Sequence, residues 1–179
     1  MPIVENYRLR TFSKHENQLQ MKTIVVATDF SPAADNAAHY AADMAMFMQA
    51  DLLLLNIFEI PISYYELPVA MNSGQTVEVE QRMLGKVNAE LERRIVGKIN
   101  IRTEVRVGSF FEELKAVCEL VKPYTGVLGS QGTTAAERLL FGAHTAHAMQ
   151  NLHWPLIAVP PHVTFSSVKK ICLACDLAG

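Results

Sequence analysis

Short apolar runs alternate along the chain with amphipathic stretches that repeat at helical spacing. The runs have strand length and are rich in β-branched and aliphatic residues, which is typical of strands buried on both faces. In the third run apolar residues alternate with polar ones, as expected for a half-exposed edge strand. The predicted strands are residues 22–28, 52–58, 101–107, 124–128 and 155–159.

Two of the intervening helices have clear start signals. Ser31 is a good N-cap and Pro32 suits the first helical position, so the first helix is predicted to begin there. Ser109 and Glu112 have the spacing of a capping box at the start of the third helix. The predicted buried faces are Ala37, Ala41, Met44, Ala45 and Met48 in the first helix and Leu114, Val117, Cys118 and Val121 in the third.

The sequence gives weaker signals for the ends of the second and fourth helices. Residues 61–76 are rich in turn formers and predict a loop that is long for a compact domain. The second helix is predicted to follow this loop and to run to about residue 98, and the fourth is predicted near 143–152. The apolar face of the second helix is Leu84, Val87, Leu91 and Ile95.

Five strand–helix alternations favour an α/β fold, a three-layer sandwich around a five-stranded parallel doubly wound sheet. In such sheets ligands bind at the carboxyl ends of the strands, where the winding direction reverses. Asp29 follows the first strand and Gly129 follows the fourth. We expect both to face one crevice if these two strands are neighbours.

A glycine-containing loop follows the fourth strand. Gly129 and Gly132 are separated by two residues, and nine more residues precede Gly142. Glycines allow positive φ and close approach of the backbone to a ligand, and the N-terminus of the helix that follows offers N–H groups to phosphate. The loop is therefore a candidate phosphate cradle.

Composition narrows the class of protein. Half of the 179 residues are apolar, and the net charge of −2 gives no electrostatic footprint for nucleic acid or for an anionic membrane. No apolar run approaches the ~20 residues that span a bilayer, and residues 1–20 form a polar extension without a signal-peptide core. Three cysteines, an odd number, fit a reducing compartment, so we expect a cytoplasmic protein.

The last residues resemble the first strand. Residues 169–177 match residues 22–30 at four of nine positions, and both segments end with a strand-terminal Asp followed by one apolar residue. We interpret this as the start of a second copy of the domain, of which only the first strand is present. The predicted organisation is an extension at 1–20, one domain at 21–160, and a linker with this strand at 161–179.

These motifs together resemble the universal stress protein family, whose nucleotide-binding branch carries G-x-x-G, nine residues and G-[S/T]. Gly129, Gly132 and Gly142 match it in identity and spacing, and the first strand ends in Asp29. The segment 154–160 is also similar to the family's last strand. The resemblance covers roughly residues 21–160 and implies an adenine nucleotide α-hydrolase-like fold.

The resemblance further implies an ATP site, with Mg²⁺ as an accompanying ion, and a homodimer formed through the strand from Pro155 to Val159. Asp29 would lie near the adenosine and phosphates, and Ile57 would offer backbone atoms to adenine. The amides around the three glycines would hold ribose and phosphates. The full predicted nucleotide site is Ala27, Thr28, Asp29, Asn56, Ile57, Leu128, Gly129, Gln131, Gly132, Gly142, Ala143 and His144.

One position departs from the family pattern, because Ala143 stands where a hydroxyl is expected after Gly142. Its loss removes about 1 kcal/mol of net hydrogen bonding, although His144 or Thr145 could substitute. Two alternatives to a regulatory protein that binds ATP stay open. One is a dimeric interaction module with an empty crevice. The other is a slow ATP hydrolase using Asp29, for which the sequence offers no nucleophile–base pair.

The remaining polar motifs are weaker. Cys172 and Cys175 have C-x-x-C spacing, but without a second pair we predict neither a metal site nor a redox site. We interpret His39 as a helix-surface residue rather than a base. Arg138, in the glycine loop, is equally compatible with a phosphate contact and with an ion pair.

Overall fold

Five parallel strands form the predicted sheet. The computed structural model describes residues 22–59, 73–130 and 152–172. The strands are β1 (Thr23–Thr28), β2 (Asp51–Phe58), β3 (Ile101–Val107), β4 (Thr125–Gly129) and β5 (Leu156–Val159). Their order is β3-β2-β1-β4-β5 with parallel pairing throughout, so all five predicted strands and the edge position of β3 are confirmed.

Helices cover both faces of the sheet. The helices α1 (Pro32–Met48) and α2 (Ser73–Ile95) pack on one face, where Ile24, Val26 and Leu54 form part of the core. The helix α3 (Phe110–Val121) packs on the other face with Val25 and Leu55. The side chains of β1 and β2 therefore alternate between two cores, as expected for strands buried on both faces.

The start of α1 and its close packing follow from local sequence. Ser31 is the N-cap, and its Oγ accepts a hydrogen bond from the N–H of Ala34 at 3.2 Å. Small side chains let the helix lie close to the sheet. The buried residues of α1 are all alanines: Ala33, Ala34, Ala37, Ala38, Ala41, Ala42 and Ala45.

The boundaries of α2 differ from the prediction at both ends. The helix begins at Ser73, so the last residues of the predicted loop 61–76 are helical, while residues 60–72 lie outside the described part of the chain. It ends at Ile95 rather than near residue 98, because Val96 and Gly97 adopt left-handed φ angles of 48° and 69°. Such residues commonly end helices. The predicted face is confirmed, since Leu84, Leu91 and Ile95 are buried and Val87 is partly buried against them.

The capping box predicted at α3 is not formed. Ser109 occupies the N-cap position with extended φ and ψ, but its side chain makes no capping hydrogen bond. Glu112 is exposed, so water competes for its carboxylate. The buried face is confirmed, and burial raises the pKa of the Cys118 thiol to about 11.

From residue 160 to residue 172, the described part of the chain after β5 contains no strand. Residues 163–172 have no regular secondary structure, and most of them are exposed. Residues 173–177 of the proposed repeat lie outside the described part, so the second copy stays a prediction. Of the predicted fourth helix only Leu152 is described, and this residue is buried and non-helical.

Candidate functional site

The reversal of winding lies between β1 and β4, which are hydrogen-bonded neighbours. From β1 the sheet grows outward to β2 and β3, and the chain then returns to β4 and β5 on the other side. Ligands of open parallel sheets bind at this reversal, beyond the carboxyl ends of the strands. The topology therefore brings Asp29 and Gly129 to one crevice.

Asp29 is held in place by the turn that follows β1. Its Oδ1 accepts a hydrogen bond from the N–H of Ser31 at 3.1 Å, and Thr28 Oγ1 accepts one from the N–H of Phe30 at 3.0 Å. Phe30 between them has a left-handed φ of 64°. Both polar side chains thus stabilise the turn, and the partly exposed Asp29 carboxylate is fixed at the mouth of the crevice.

The N-terminus of α1 adjoins the crevice, but most of the backbone N–H groups in its first turn are missing or already hydrogen-bonded within the chain. Pro32 has no N–H, the N–H of Ala34 is bonded to Ser31 Oγ, and that of Asp35 is bonded to the carbonyl of Ser31 at 2.8 Å. The Asp35 carboxylate also lies in this first turn. A phosphate group would therefore depend on residues after β4 more than on α1.

Gly129 is the last residue of β4, and the structure shows a packing role for it beside the predicted one, which stays a prediction. Its φ is not positive. A Cβ at this position would lie 2.7 Å from the carbonyl carbon and oxygen of Ala33 and 2.9 Å from the nitrogen of Ala34. The absence of a side chain at Gly129 therefore lets the first turn of α1 pack against β4.

Asn56 places a second polar side chain at the carboxyl end of the sheet. It pairs in register with Thr28 and is 2% exposed, and its Nδ2 donates to the carbonyl oxygen of Thr28 at 2.9 Å. A carbonyl accepts but does not donate, so this bond fixes which end of the amide is nitrogen. Among the residues that the structure describes, Asn56 Oδ1 has no donor and is left as a buried acceptor.

The other predicted site residues in the described part lie at the same end of the sheet. Thr28 is buried, and Ile57 is partly buried against the α3 core. The side chains of Ala27 and Leu128 belong to that core, so these two residues can offer only backbone atoms to a ligand. Five predicted positions lie outside the described residues: Gln131, Gly132, Gly142, Ala143 and His144.

Two polar contacts near α1 were not foreseen from the sequence. Asn36 Nδ2 donates to the carbonyls of Pro160 and Val163, at 3.1 and 3.2 Å. A single asparagine in a helix carries no sequence signal for such a long-range bond. His39 contacts Glu90 and Arg94 of α2, so it bridges two helices instead of facing solvent alone.

Other features do not add to the crevice. A cavity of about 430 Å³ lies at the opposite end of the sheet, lined by residues that include Thr23, Arg102 and Leu120. Across residues 22–59, 73–130 and 152–172, no three His, Cys, Asp or Glu side chains are grouped to hold a metal ion. None of the helices in these ranges is long and apolar enough to cross a membrane.

The fold and this crevice define a class: a doubly wound α/β domain with an acidic, glycine-bordered crevice where the sheet reverses direction. The profile of the universal stress protein family matches residues 21–160, and the chain belongs to that family. Among curated proteins, no sequence matches this chain.

Solved structures show the same fold. UspA from Lactobacillus plantarum is 21% identical with a TM-score of 0.64, over 77% of this chain and 97% of its own. A universal stress protein in complex with cAMP is 21% identical with a TM-score of 0.57, over 79% and 98%. One from Archaeoglobus fulgidus in complex with dAMP is 13% identical with a TM-score of 0.51, over 77% and 96%. At these identities the likeness establishes the fold.

Proposed function

We propose that this protein binds an adenine nucleotide, principally ATP, in the crevice and acts as a dimeric regulatory protein of the stress response. The observation that carries the proposal is the meeting of three strand ends with an oriented carboxylate and a buried acceptor that lacks a donor among the described residues. Two universal stress proteins of the same fold are complexes with cAMP and dAMP, which supports an adenine ligand.

The polar groups of the crevice suit the parts of a nucleotide. Asn56 Oδ1 accepts hydrogen bonds, and a nucleoside offers amino and hydroxyl donors. Asp29 suits ribose hydroxyls and would also attract Mg²⁺ that arrives with the phosphates, since Mg²⁺ is usually bound by one or two carboxylates plus phosphate oxygens. The backbone after Gly129 would hold the phosphates.

The crevice favours binding over catalysis. Asp29 Oδ1 already accepts from Ser31, and the described residues place no nucleophile beside a base at this end of the sheet. We therefore propose a regulatory role rather than an enzymatic one. An Asp29→Asn variant that loses slow phosphate release while keeping its ATP affinity would favour the hydrolase alternative.

Equilibrium dialysis of the full chain with ATP and Mg²⁺ tests the proposal. We expect saturable binding below millimolar ATP. Ala143→Ser, which restores the hydroxyl of the family pattern, should tighten binding about fivefold through about 1 kcal/mol of added hydrogen bonding. The matched control Ala116→Ser, on the exposed face of α3, should leave the affinity unchanged.

No saturable binding at millimolar ATP by either the wild type or Ala143→Ser would contradict the proposal. In that event the dimeric interaction module with an empty crevice is the better description, and it predicts no thermal shift with any adenine nucleotide.

A further inference from the structure

The segment after β5 is anchored to the outer face of α1. At residues 160–165, here called the strap, the chain turns back on itself: His162 has a left-handed φ of 64°, and the N–H of Val163 approaches the carbonyl of Pro160 at 3.4 Å. The strap then follows α1 and is held at two places. Beyond it, Val168 and Ile171 are 68% and 89% exposed.

The first anchor is Asn36 in the early part of α1. Its side-chain Nδ2 donates to the carbonyls of Pro160 and Val163, and so uses both of its hydrogens on one turn of the strap. The bonds span 124 and 127 residues of sequence. Asn36 therefore fixes the strap directly after it leaves the sheet.

The second anchor is aromatic. Phe165 stacks edge-on against Tyr40, with ring centroids 5.4 Å apart, and lies 5.7 Å from the ring of Phe47. Tyr40 and Phe47 are seven residues apart and share one face of α1. Aromatic pairs at such distances are favourable beyond their buried area. Phe165 is half-buried, unlike the exposed residues that follow it.

The elements that hold the strap also border the crevice. Asp29 fixes Ser31, Ser31 caps α1, and Asn36 lies little more than one turn later in the same helix. On the other side, Gly129 packs against the first turn of α1, and the N–H of Ser130 donates to the carbonyl of Val159, just before the strap. One continuous set of contacts therefore joins the strap to the crevice.

We propose that docking of the strap on α1 is coupled to occupation of the crevice, so that a bound nucleotide holds the strap down and its loss releases the chain beyond β5. A ligand that immobilises residues 29–31 and 129–130 also immobilises the start of α1 and the end of β5, which lowers the entropic cost of docking. The coupling rests on the nucleotide binding proposed above. It would make the exposed segment after Phe165 a nucleotide-controlled element.

Chymotrypsin cleavage of the Phe165–Ser166 bond, followed by mass spectrometry, measures strap release, because the Phe165 ring must leave Tyr40 and Phe47 to enter the protease. Asn36→Ala should speed this cleavage about fivefold, since two exposed hydrogen bonds are lost. The matched control Asn88→Ala removes an asparagine of α2 that bonds only to Glu92 among the residues described, and should leave the rate unchanged. Saturating ATP with Mg²⁺ should slow cleavage of the wild type at least threefold.

Thermodynamic reciprocity supplies the second measurement. Phe165→Ala, which cannot dock the aromatic anchor, should bind ATP more weakly in equilibrium dialysis, by about the factor with which ATP slows wild-type cleavage. The fold of this variant is checked by its circular dichroism spectrum.

The outcomes separate the two proposals. If ATP binds the wild type but neither slows cleavage nor loses affinity in Phe165→Ala, the coupling is wrong and the nucleotide site stands. If ATP does not bind the wild type, both proposals are wrong. An equal cleavage rate for Asn36→Ala and wild type would show that Asn36 does not anchor the strap, and would also overturn the coupling.

Discussion

At the scale of single residues, Gly129 has a structural role that its motif does not suggest. The glycine pattern predicts a phosphate loop, and Gly129 begins it. In the structure, the space a Cβ would need is filled by the backbone of Ala33 and Ala34. Backbone atoms cannot change rotamer to make room, so a larger residue must displace the helix. Glycine here is required for packing, whether or not a ligand binds.

Gly129→Ala should therefore lower the free energy of unfolding by about 2 kcal/mol, the usual cost of overpacking. Gly85→Ala is the matched control, because Gly85 lies in α2 and no atom of the described residues comes within 4 Å of the place a methyl group would take. That substitution should stabilise the protein by about 0.5–1 kcal/mol through helix propensity. Urea denaturation measures both. Equal effects of the two substitutions would contradict this account of Gly129.

At the scale of secondary-structure elements, the first and third helices both have a serine at the N-cap position but differ in whether its side chain makes a capping bond. Ser31 Oγ bonds to the N–H of Ala34, whereas Ser109 makes no side-chain capping bond. Both serines have extended backbone angles at the N-cap position. The sequence therefore located both helix starts correctly, but only the structure shows that the side chain of Ser31 makes a capping hydrogen bond and that of Ser109 does not.

Ser31→Ala should destabilise the protein by about 1 kcal/mol, the typical value of a lost N-cap. Ser109→Ala should change the free energy of unfolding by less than about 0.5 kcal/mol, because Ser109 is exposed and its side chain makes no capping bond. Thermal and urea unfolding compare the two variants directly. A larger loss for Ser109→Ala than for Ser31→Ala would show that the capping assignments are reversed.

At the scale of the whole molecule, the sheet formed by the described residues has two edge strands, β3 and β5. The carbonyls of Pro155 and Val159 accept from β4 and from the residue after it, so the alternation of the strand points the N–H of Ala158 toward the open edge. An open edge is a template for pairing with another chain. The proposed dimer through residues 155–159 would use the backbone groups of β5 that point toward this edge, the N–H of Ala158 among them.

Ala158→Pro should weaken the dimer at least tenfold, because it removes an outward donor without breaking the pairing with β4. Thr103→Pro is the matched control: the carbonyl of Asn100 and the N–H of Gly108 bond to β2, so Thr103 faces outward on the opposite edge. Sedimentation velocity over a concentration series measures both. A dimer weakened only by Thr103→Pro would place the interface on β3.

The local features of this fold could be predicted from the sequence because they depend on near neighbours in the chain. Apolar runs located all five strands, Ser31-Pro32 located the start of α1, and helical spacing gave the buried faces. The C-terminal end of α2 was placed too late because left-handed φ at Val96, a β-branched residue, has no local signal. For the candidate site, the sequence alone identified Asp29, Asn56 and Gly129 as residues at the ends of predicted strands.

Only the tertiary structure decided how those residues act. It showed that Asp29 orients a turn, that Asn56 keeps one buried acceptor without a donor from the described residues, and that Gly129 admits α1. It also revealed the strap on α1, which joins residues more than a hundred positions apart. The pattern of the sequence determines which elements form, since hydrophobic period and caps are local. Their contacts depend on which surfaces meet after folding, and that information is not local.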